Sequence, residues 1–189
     1  MRVFLFVVAC AFSSVALAVS WTEDDAAVGA CFMAMDRDPA LQNVNAKFAR
    51  REPSAAQFAD ASVATMEEQD ELRLRTRKTK RCRELRLAAV RMHRALLEPS
   101  YRILYYQSDQ IFDYLGQQFV SYGMANRLEN DALGAFRRRE ASYLAANDNG
   151  ARKALAAAWE EALQRAHSNP PPDGGPRVCR WAELNIACD

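Results

Sequence analysis

EEQDELRLRTRKTKRCRELRLAAVRMHRALL, residues 67–97, has no proline or glycine and predicts one long helix. At 100° per residue, its regularly spaced apolar residues fall within a sector about 80° wide, with Lys78 as the one polar residue among them. The members of this predicted seam are Leu74, Cys82, Leu85, Ala89, Met92 and Leu96. Their spacing of three and four residues from Cys82 onward is typical of packing against an antiparallel helix.

The flanking sequence also predicts helices and almost no strands. Helical patterns cover 26–35, 40–51, 54–97 with a break left open near 62–65, 101–119, 124–146 and 151–166. Thr22 and Asp25 form a capping pair before the first helix, and Pro39 ends it. Pro99 ends the long helix, and Ser100 caps the next one. Similar seams follow in two later helices, at Leu104, Ile111, Leu115 and Phe119 and at Leu155, Trp159, Ala162 and Ala166. We therefore predict an all-α fold, a multi-helix bundle over residues 19–168.

The N-terminus predicts export. Met1-Arg2 precedes the apolar run 3–12, and Ala16-Leu17-Ala18 fits a cleavage site, so residues 1–18 are interpreted as a signal peptide. The run is too short to span a bilayer. In an alternative interpretation, residues 7–10 form a lipobox and the protein is lipid-anchored at Cys10. Either processing predicts a periplasmic or secreted protein without a membrane span in the mature chain.

Removal of the signal peptide leaves an even set of cysteines, which indicates disulfides. Cys31, Cys82, Cys179 and Cys188 allow three pairings. We favour Cys179 with Cys188, which are nine residues apart, and hence Cys31 with Cys82. Residues 169–176 form a Pro/Gly linker, so residues 177–189 are expected to be a short C-terminal hairpin or loop closed by its disulfide. The spacing does not fit a zinc site, and no metal is expected.

Charge is concentrated in one place. The predicted mature chain is neutral overall, yet residues 73–94 carry ten basic residues against Glu84 alone, a net charge of +9. A candidate surface for an anionic partner comprises Arg75, Arg77, Lys78, Lys80, Arg81 and Arg83. The ordinary alternative is a solvated helix, since these positions surround most of its circumference. Nucleic acid is not expected as a partner of an exported, neutral chain.

Aromatic residues cluster in the centre of the chain. All six tyrosines lie between residues 101 and 143, and Tyr101, Tyr105 and Tyr122 form a candidate aromatic surface. Core packing at the edge of a bundle is the alternative, because Tyr101 and Tyr105 are one helical turn apart.

The sequence lacks the signature motifs of several enzyme classes. It contains two histidines and no H-E-x-x-H, G-x-S-x-G, P-loop or C-x-x-C-H motif, so no catalytic residue or cofactor is assigned. Hydrolysis of a glycan by a pair of carboxylates stays an alternative. The available acids are Glu67, Glu68, Asp109, Asp113, Glu129 and Asp131.

Lys80-Arg81-Cys82-Arg83, the segment Ser121-Tyr122-Gly123-Met124-Ala125-Asn126 and the terminal cysteine pair give the chain a recognisable layout. In this layout it resembles uncharacterised secreted helical proteins of bacteria, a resemblance that implies compartment and helical architecture and no activity. We expect a non-enzymatic periplasmic binding or accessory module of the cell envelope, with an anionic envelope component or a protein as partner. The alternative is an envelope glycan or peptidoglycan hydrolase that uses a carboxylate pair.

Overall fold

A computed structural model describes residues 20–49, 52–167 and 178–188, and within these ranges the chain forms seven α-helices and one β-hairpin. The helices are α1 Trp21–Asp36, α2 Gln42–Lys47, α3 Ala55–Ala59, α4 Met66–His93, α5 Glu98–Gly116, α6 Tyr122–Ala145 and α7 Asn149–Ala166. The hairpin consists of β1 Cys179–Ala182 and β2 Asn185–Cys188. The predicted all-α bundle with a disulfide-closed hairpin is confirmed. The predicted signal peptide and linker lie outside the described residues.

Side-chain caps decide where the first helices begin. Helix α1 starts five residues earlier than expected because Ser20, and not Thr22, is its N-cap, with Glu23 completing a capping box. The break left open near residues 62–65 is present, since Thr65 and Glu68 form a second capping box that starts α4.

Helix α5 also begins before the expected position. It starts at Glu98, with Pro99 in its first turn, where a missing backbone N–H costs nothing. Pro99 therefore starts a helix here, while the preceding helix α4 already ends at His93.

The long helices pack against one another around α4 and α5. Helix α1 lies against α4, α4 against α5, and α5 against both α6 and α7. The hairpin packs against α5 and α6, where Ile186 is buried and Trp181 donates a hydrogen bond from Nε1 to the carbonyl oxygen of Leu128, 2.8 Å away. Its strands pair antiparallel with Cys179 opposite Cys188. The predicted short C-terminal unit is thus part of the bundle core.

Both favoured disulfides are present. Cys31 in α1 is bonded to Cys82 in α4, and Cys179 is bonded to Cys188 across the hairpin. Two disulfides indicate an oxidising compartment. Among the helices of the described ranges, none combines the length and apolar character needed to cross a bilayer.

The predicted seam of α4 is confirmed at Cys82 and Ala89, which are buried, and wrong at two other positions. Leu85 and Met92 were expected inside, but their exposed fractions are 44 % and 70 %. The residues of α4 that are buried include several polar ones: Glu68, Glu71, Leu72, Arg75, Thr79, Cys82, Ala89 and Val90. At 100° per residue the buried face is rotated by about 70° from the predicted seam. The face of α4 that packs against the core therefore carries polar and charged side chains as well as apolar ones.

Gly123 allows the start of α6 to touch the segment after α3. Its N–H donates to the carbonyl oxygen of Asp60 at 2.7 Å, and a Cβ added to Gly123 would lie 2.5 Å from the carbonyl oxygen of Phe58. We expect Gly123→Ala to lower the free energy of unfolding by about 2 kcal/mol, because backbone atoms must move apart. Chemical denaturation measures this change. Gly116→Ala is the control, since its Cβ would meet no atom within 4 Å, and equal losses in the two variants would refute the expectation.

Candidate functional site

A partly open cavity of about 170 Å³ lies between α1, α4, α5 and α6. Its lining combines aromatic and apolar side chains with arginines and a single carboxylate. The lining residues are Gly29, Phe32, Met35, Arg75, Thr79, Arg83, Arg86, Tyr101, Leu104, Tyr105, Ser108, Phe112, Glu129, Leu133 and Phe136. A mostly apolar concavity with a few convergent polar groups is the usual form of a small-molecule site.

Two arginines of α4 define one part of this cavity. The guanidinium of Arg83 lies 5.0 Å from the ring centre of Tyr105, and that of Arg86 lies 5.8 Å from the ring centre of Tyr101. Each also donates from Nη1 to a half-exposed carboxylate outside the lining, Arg83 to Asp109 and Arg86 to Asp25, both at 2.5 Å. The carboxylates and rings hold these guanidinium groups in place at the cavity wall.

Another part of the cavity contains Glu129. The hydroxyl of Ser108 donates to the Glu129 carboxylate, with oxygen-to-oxygen distances of 3.2 and 3.1 Å. Arg75 lines the same part, donates to Asn45 and lies 3.5 Å from the carboxylate of Asp36. Its exposed fraction is 1 %, and Glu129 and Ser108 are also buried. Buried polar groups are costly unless they are hydrogen-bonded. The burial of Arg75, Ser108 and Glu129 at one place therefore indicates an organised polar site.

Aromatic and aliphatic side chains form the walls between these two parts. The rings of Tyr101 and Phe136 lie 4.7 Å apart in an edge-to-face arrangement. Burial, and secondarily the negative charge of Glu140, raises the pKa of Tyr101 above its usual value, so the phenol is neutral at physiological pH. Phe32 from α1 and Leu133 from α6 line the remaining sides.

The structure divides the predicted basic surface between two sides of α4. Arg75 and Arg83 line the cavity, so they are not members of a solvent-exposed surface. Arg77, Lys80 and Arg81 are exposed, and Lys78 is paired with Asp38. Sequence reasoning assigned Arg75 to the surface because it belongs to the basic run at residues 73–94, whereas here a hydrogen bond and aromatic rings surround it.

The predicted aromatic surface is divided as well. Tyr101 and Tyr105 line the cavity together, but Tyr122 is fully buried at the start of α6. Burial, followed by the charges of Glu68 and Glu71, raises the pKa of Tyr122. Tyr122 is thus a core residue in the described structure and does not join the other two.

Of the six acids considered for hydrolysis, Glu129 is the one found in the cavity lining. Asp113 lies on the exposed side of α5, where partial desolvation by neighbouring groups, and secondarily the charge of Asp109, raises its pKa. Across the described ranges, no group of three or more His, Cys, Asp or Glu side chains is arranged to hold a metal ion.

Four polar lining residues were not identified as site residues from sequence: Thr79, Arg86, Ser108 and Glu129. Arg86 was counted with the basic run, and Glu129 only with the available acids. The pairing of helices could have identified these residues. Antiparallel packing of α4 and α5 places Arg86 beside Tyr101 and Arg83 beside Tyr105. Comparison with protein-family models, curated proteins and solved structures finds no match, so the geometry alone carries the functional argument.

Proposed function

We propose that this chain is an exported, non-enzymatic binding module of the bacterial cell envelope that takes a small anionic ligand into the cavity between α1, α4, α5 and α6. One observation carries the proposal: three guanidinium groups line this cavity against one carboxylate, Glu129. The predicted signal peptide and the two disulfides support export to the periplasm or beyond.

An anion is the ligand that this lining favours. A guanidinium has five N–H donors in a planar fork that matches a carboxylate. The described contacts of Arg83 and Arg86 with carboxylates each use one nitrogen, and both acids lie outside the cavity lining. Donor groups of both arginines are therefore available to an anion in the cavity, where the low dielectric strengthens the attraction.

Hydrolysis has less support than binding. A carboxylate-pair mechanism needs two acids that flank one substrate bond. Among the described residues that line the cavity, Glu129 is the one acid, and it accepts a hydrogen bond from Ser108. This arrangement offers recognition groups without the second acid or base.

Titration calorimetry with phenylacetate tests the proposal. The purified, oxidised protein is expected to bind phenylacetate and to bind its uncharged analogue 2-phenylethanol at least tenfold more weakly, because only the anion satisfies the guanidinium donors. The double variant Arg83→Met, Arg86→Met is expected to lose about 100-fold in phenylacetate affinity. Its fold should persist, since Asp109 and Asp25 are half-exposed and regain water.

Arg77→Met, Arg81→Met is the matched control, because these arginines lie on the exposed side of the same helix. Its phenylacetate affinity should equal that of the parent protein. Absence of carboxylate binding at millimolar concentration would overturn the proposal. So would affinity that falls in the control and not in the cavity variant, since the anion would then bind at the exposed side of α4.

A further inference from the structure

An open groove of about 620 Å³ lies between α1 and α4, on a different side of α4 from the candidate ligand cavity. Its apolar lining comes from both helices and includes Ala27, Cys31, Ala34 and Leu85. Leu85 is exposed, and so is Met92, which lies seven residues further along α4 and therefore on nearly the same side of the helix. The structure thus leaves an apolar groove and an apolar helix face uncovered.

The charged side chains at this groove are mostly basic. Arg77, Lys78 and Arg81 line it together with one acid, Asp38, so three basic groups against one acid give a net charge of +2. Lys78 is paired with Asp38. In the part of the chain that the structure describes, no ion pair joins Arg77 or Arg81 to a carboxylate. Glu84 is exposed on the same helix but does not line the groove. Two guanidinium groups beside an apolar groove therefore favour an occupant that is apolar and negatively charged.

The shape of the groove favours a helix as this occupant. The bond between Cys31 and Cys82 holds α1 beside α4, and the lining residues of α4 extend from Arg77 to Leu85, about 12 Å along the helix axis. This length corresponds to about two helical turns, over which an amphipathic helix presents apolar side chains at positions i, i+3 or i+4, and i+7. The side chains of a helix form a ridge that packs into a groove between two other helices. A membrane surface is flat on this scale and does not enter a concave site.

A second copy of this chain fits the groove less well than an acidic partner. A twofold contact places the same patch of both copies together, so the guanidinium groups of Arg77 and Arg81 would share one contact with their own counterparts. Like charges at a contact cost free energy. A partner with carboxylates beside its apolar face gains from the same two arginines.

We infer that the groove between α1 and α4 binds an amphipathic helix of another protein, whose apolar side chains enter the groove and whose acidic side chains pair with Arg77 and Arg81. The apolar contact supplies most of the affinity, and the charges set the orientation and the rate of association. This site is separate from the proposed anion cavity, because Arg83 and Arg86 do not line the groove.

A designed peptide tests the inference by fluorescence polarisation on the purified, oxidised protein. The probe is a labelled helical peptide of about 18 residues, long enough to form a helix, with leucine on one face and glutamate on the other. We expect it to bind at micromolar concentration. The same peptide with lysine in place of glutamate, and a scrambled peptide without an apolar face, should each bind at least tenfold more weakly. Equal binding of the three peptides, or no binding of any of them, would overturn the inference.

The double variant Arg77→Gln, Arg81→Gln tests the charges at the groove. We expect the affinity for the glutamate peptide to fall about tenfold and its dependence on salt to weaken. Arg73→Gln, Lys80→Gln is the matched control, because it removes the same charge from exposed positions of α4 that do not line the groove. Equal losses in the two variants would contradict the assignment, since the peptide would then respond to the charge of the whole helix.

Leu85→Gln tests the apolar contact. The affinity for the glutamate peptide should fall about tenfold, because an apolar group that the peptide would cover is lost. Leu144→Gln is the control, since Leu144 is exposed on α6, and its affinity should equal that of the parent protein. Circular dichroism checks that both variants keep their helices. An unchanged affinity in a folded Leu85→Gln variant would overturn the inference.

Two further measurements test the other occupants. Vesicles that contain phosphatidylglycerol should not compete with the glutamate peptide, and sedimentation should show no dimer that depends on Leu85. Vesicle binding that is lost in the Arg77→Gln, Arg81→Gln variant and that displaces the peptide would assign this surface to a membrane. A dimer that Leu85→Gln dissociates would assign it to a second copy of the chain. Either result would overturn the inference.

Discussion

Replacing Cys31 and Cys82 together by alanine is expected to lower the free energy of unfolding by about 4 kcal/mol. The bond closes a loop with a sequence separation of 51, and cutting it returns that loop's conformational freedom to the unfolded chain. It also joins α1 to α4, the two helices that supply Phe32 and Arg83 to the cavity. Denaturant titration of the parent and the variant measures the loss.

The second disulfide provides the matched comparison. Cys179 and Cys188 are separated by nine residues, so the same relation gives about 2.5 kcal/mol for their replacement by alanine. Phenylacetate affinity should fall in the Cys31/Cys82 variant and stay constant in the Cys179/Cys188 variant, since the hairpin contributes no residue to the cavity lining. Equal losses of stability, or a smaller loss for Cys31 and Cys82, would contradict this account.

The fold was predictable where the signal is local. Helix periodicity, caps and proline positions gave the bundle class, and the cysteine count with the nine-residue spacing gave both bonds. The first boundary was missed where two caps compete, because Ser20 with Glu23 also has the spacing of a capping box, and this local pair rather than Thr22 with Asp25 forms the cap. Pro99 was misread for a related reason, since proline either ends one helix or begins the next.

The candidate site was only partly predictable from the sequence, and the physical reason differs from that for the helix boundaries. Arg75, Arg83, Tyr101 and Tyr105 were singled out, but as surface groups, because an arginine in sequence carries no mark of its burial. In the structure, aromatic rings and carboxylates compensate the burial of these charges. Those partners come from α1, α2, α5 and the chain around Phe48, and their approach depends on tertiary packing.

The rotation of α4 links the fold to the site. An apolar seam at Leu85 and Met92 would have packed α4 as an ordinary bundle helix, with its arginines in water. Instead Leu85 and Met92 are exposed and Arg75 is inside. A position where hydrophobic patterning fails in this way is where a functional site is expected, because a buried charge is costly unless it serves recognition or a specific network.

The substitution Arg75→Met tests what the buried guanidinium contributes to the stability of the fold. Methionine approximates the length of the arginine side chain but cannot donate to Asn45 or attract Asp36, and it loses the contacts of the guanidinium with the rings of Phe48 and Phe112, 5.6 and 5.8 Å away. We expect the free energy of unfolding to fall by about 3 kcal/mol, since a side chain that is 1 % exposed loses its hydrogen bond to Asn45 and both ring contacts. Urea denaturation measures this change.

Arg77→Met on the exposed side of α4 controls for loss of charge and should alter stability by at most about 0.5 kcal/mol. Arg75→Lys separates charge from shape, because lysine keeps the charge and lacks the planar fork, so we expect it to recover less than half of the loss. A stability for Arg75→Met equal to that of the parent protein would mean that the buried guanidinium contributes nothing net to the fold.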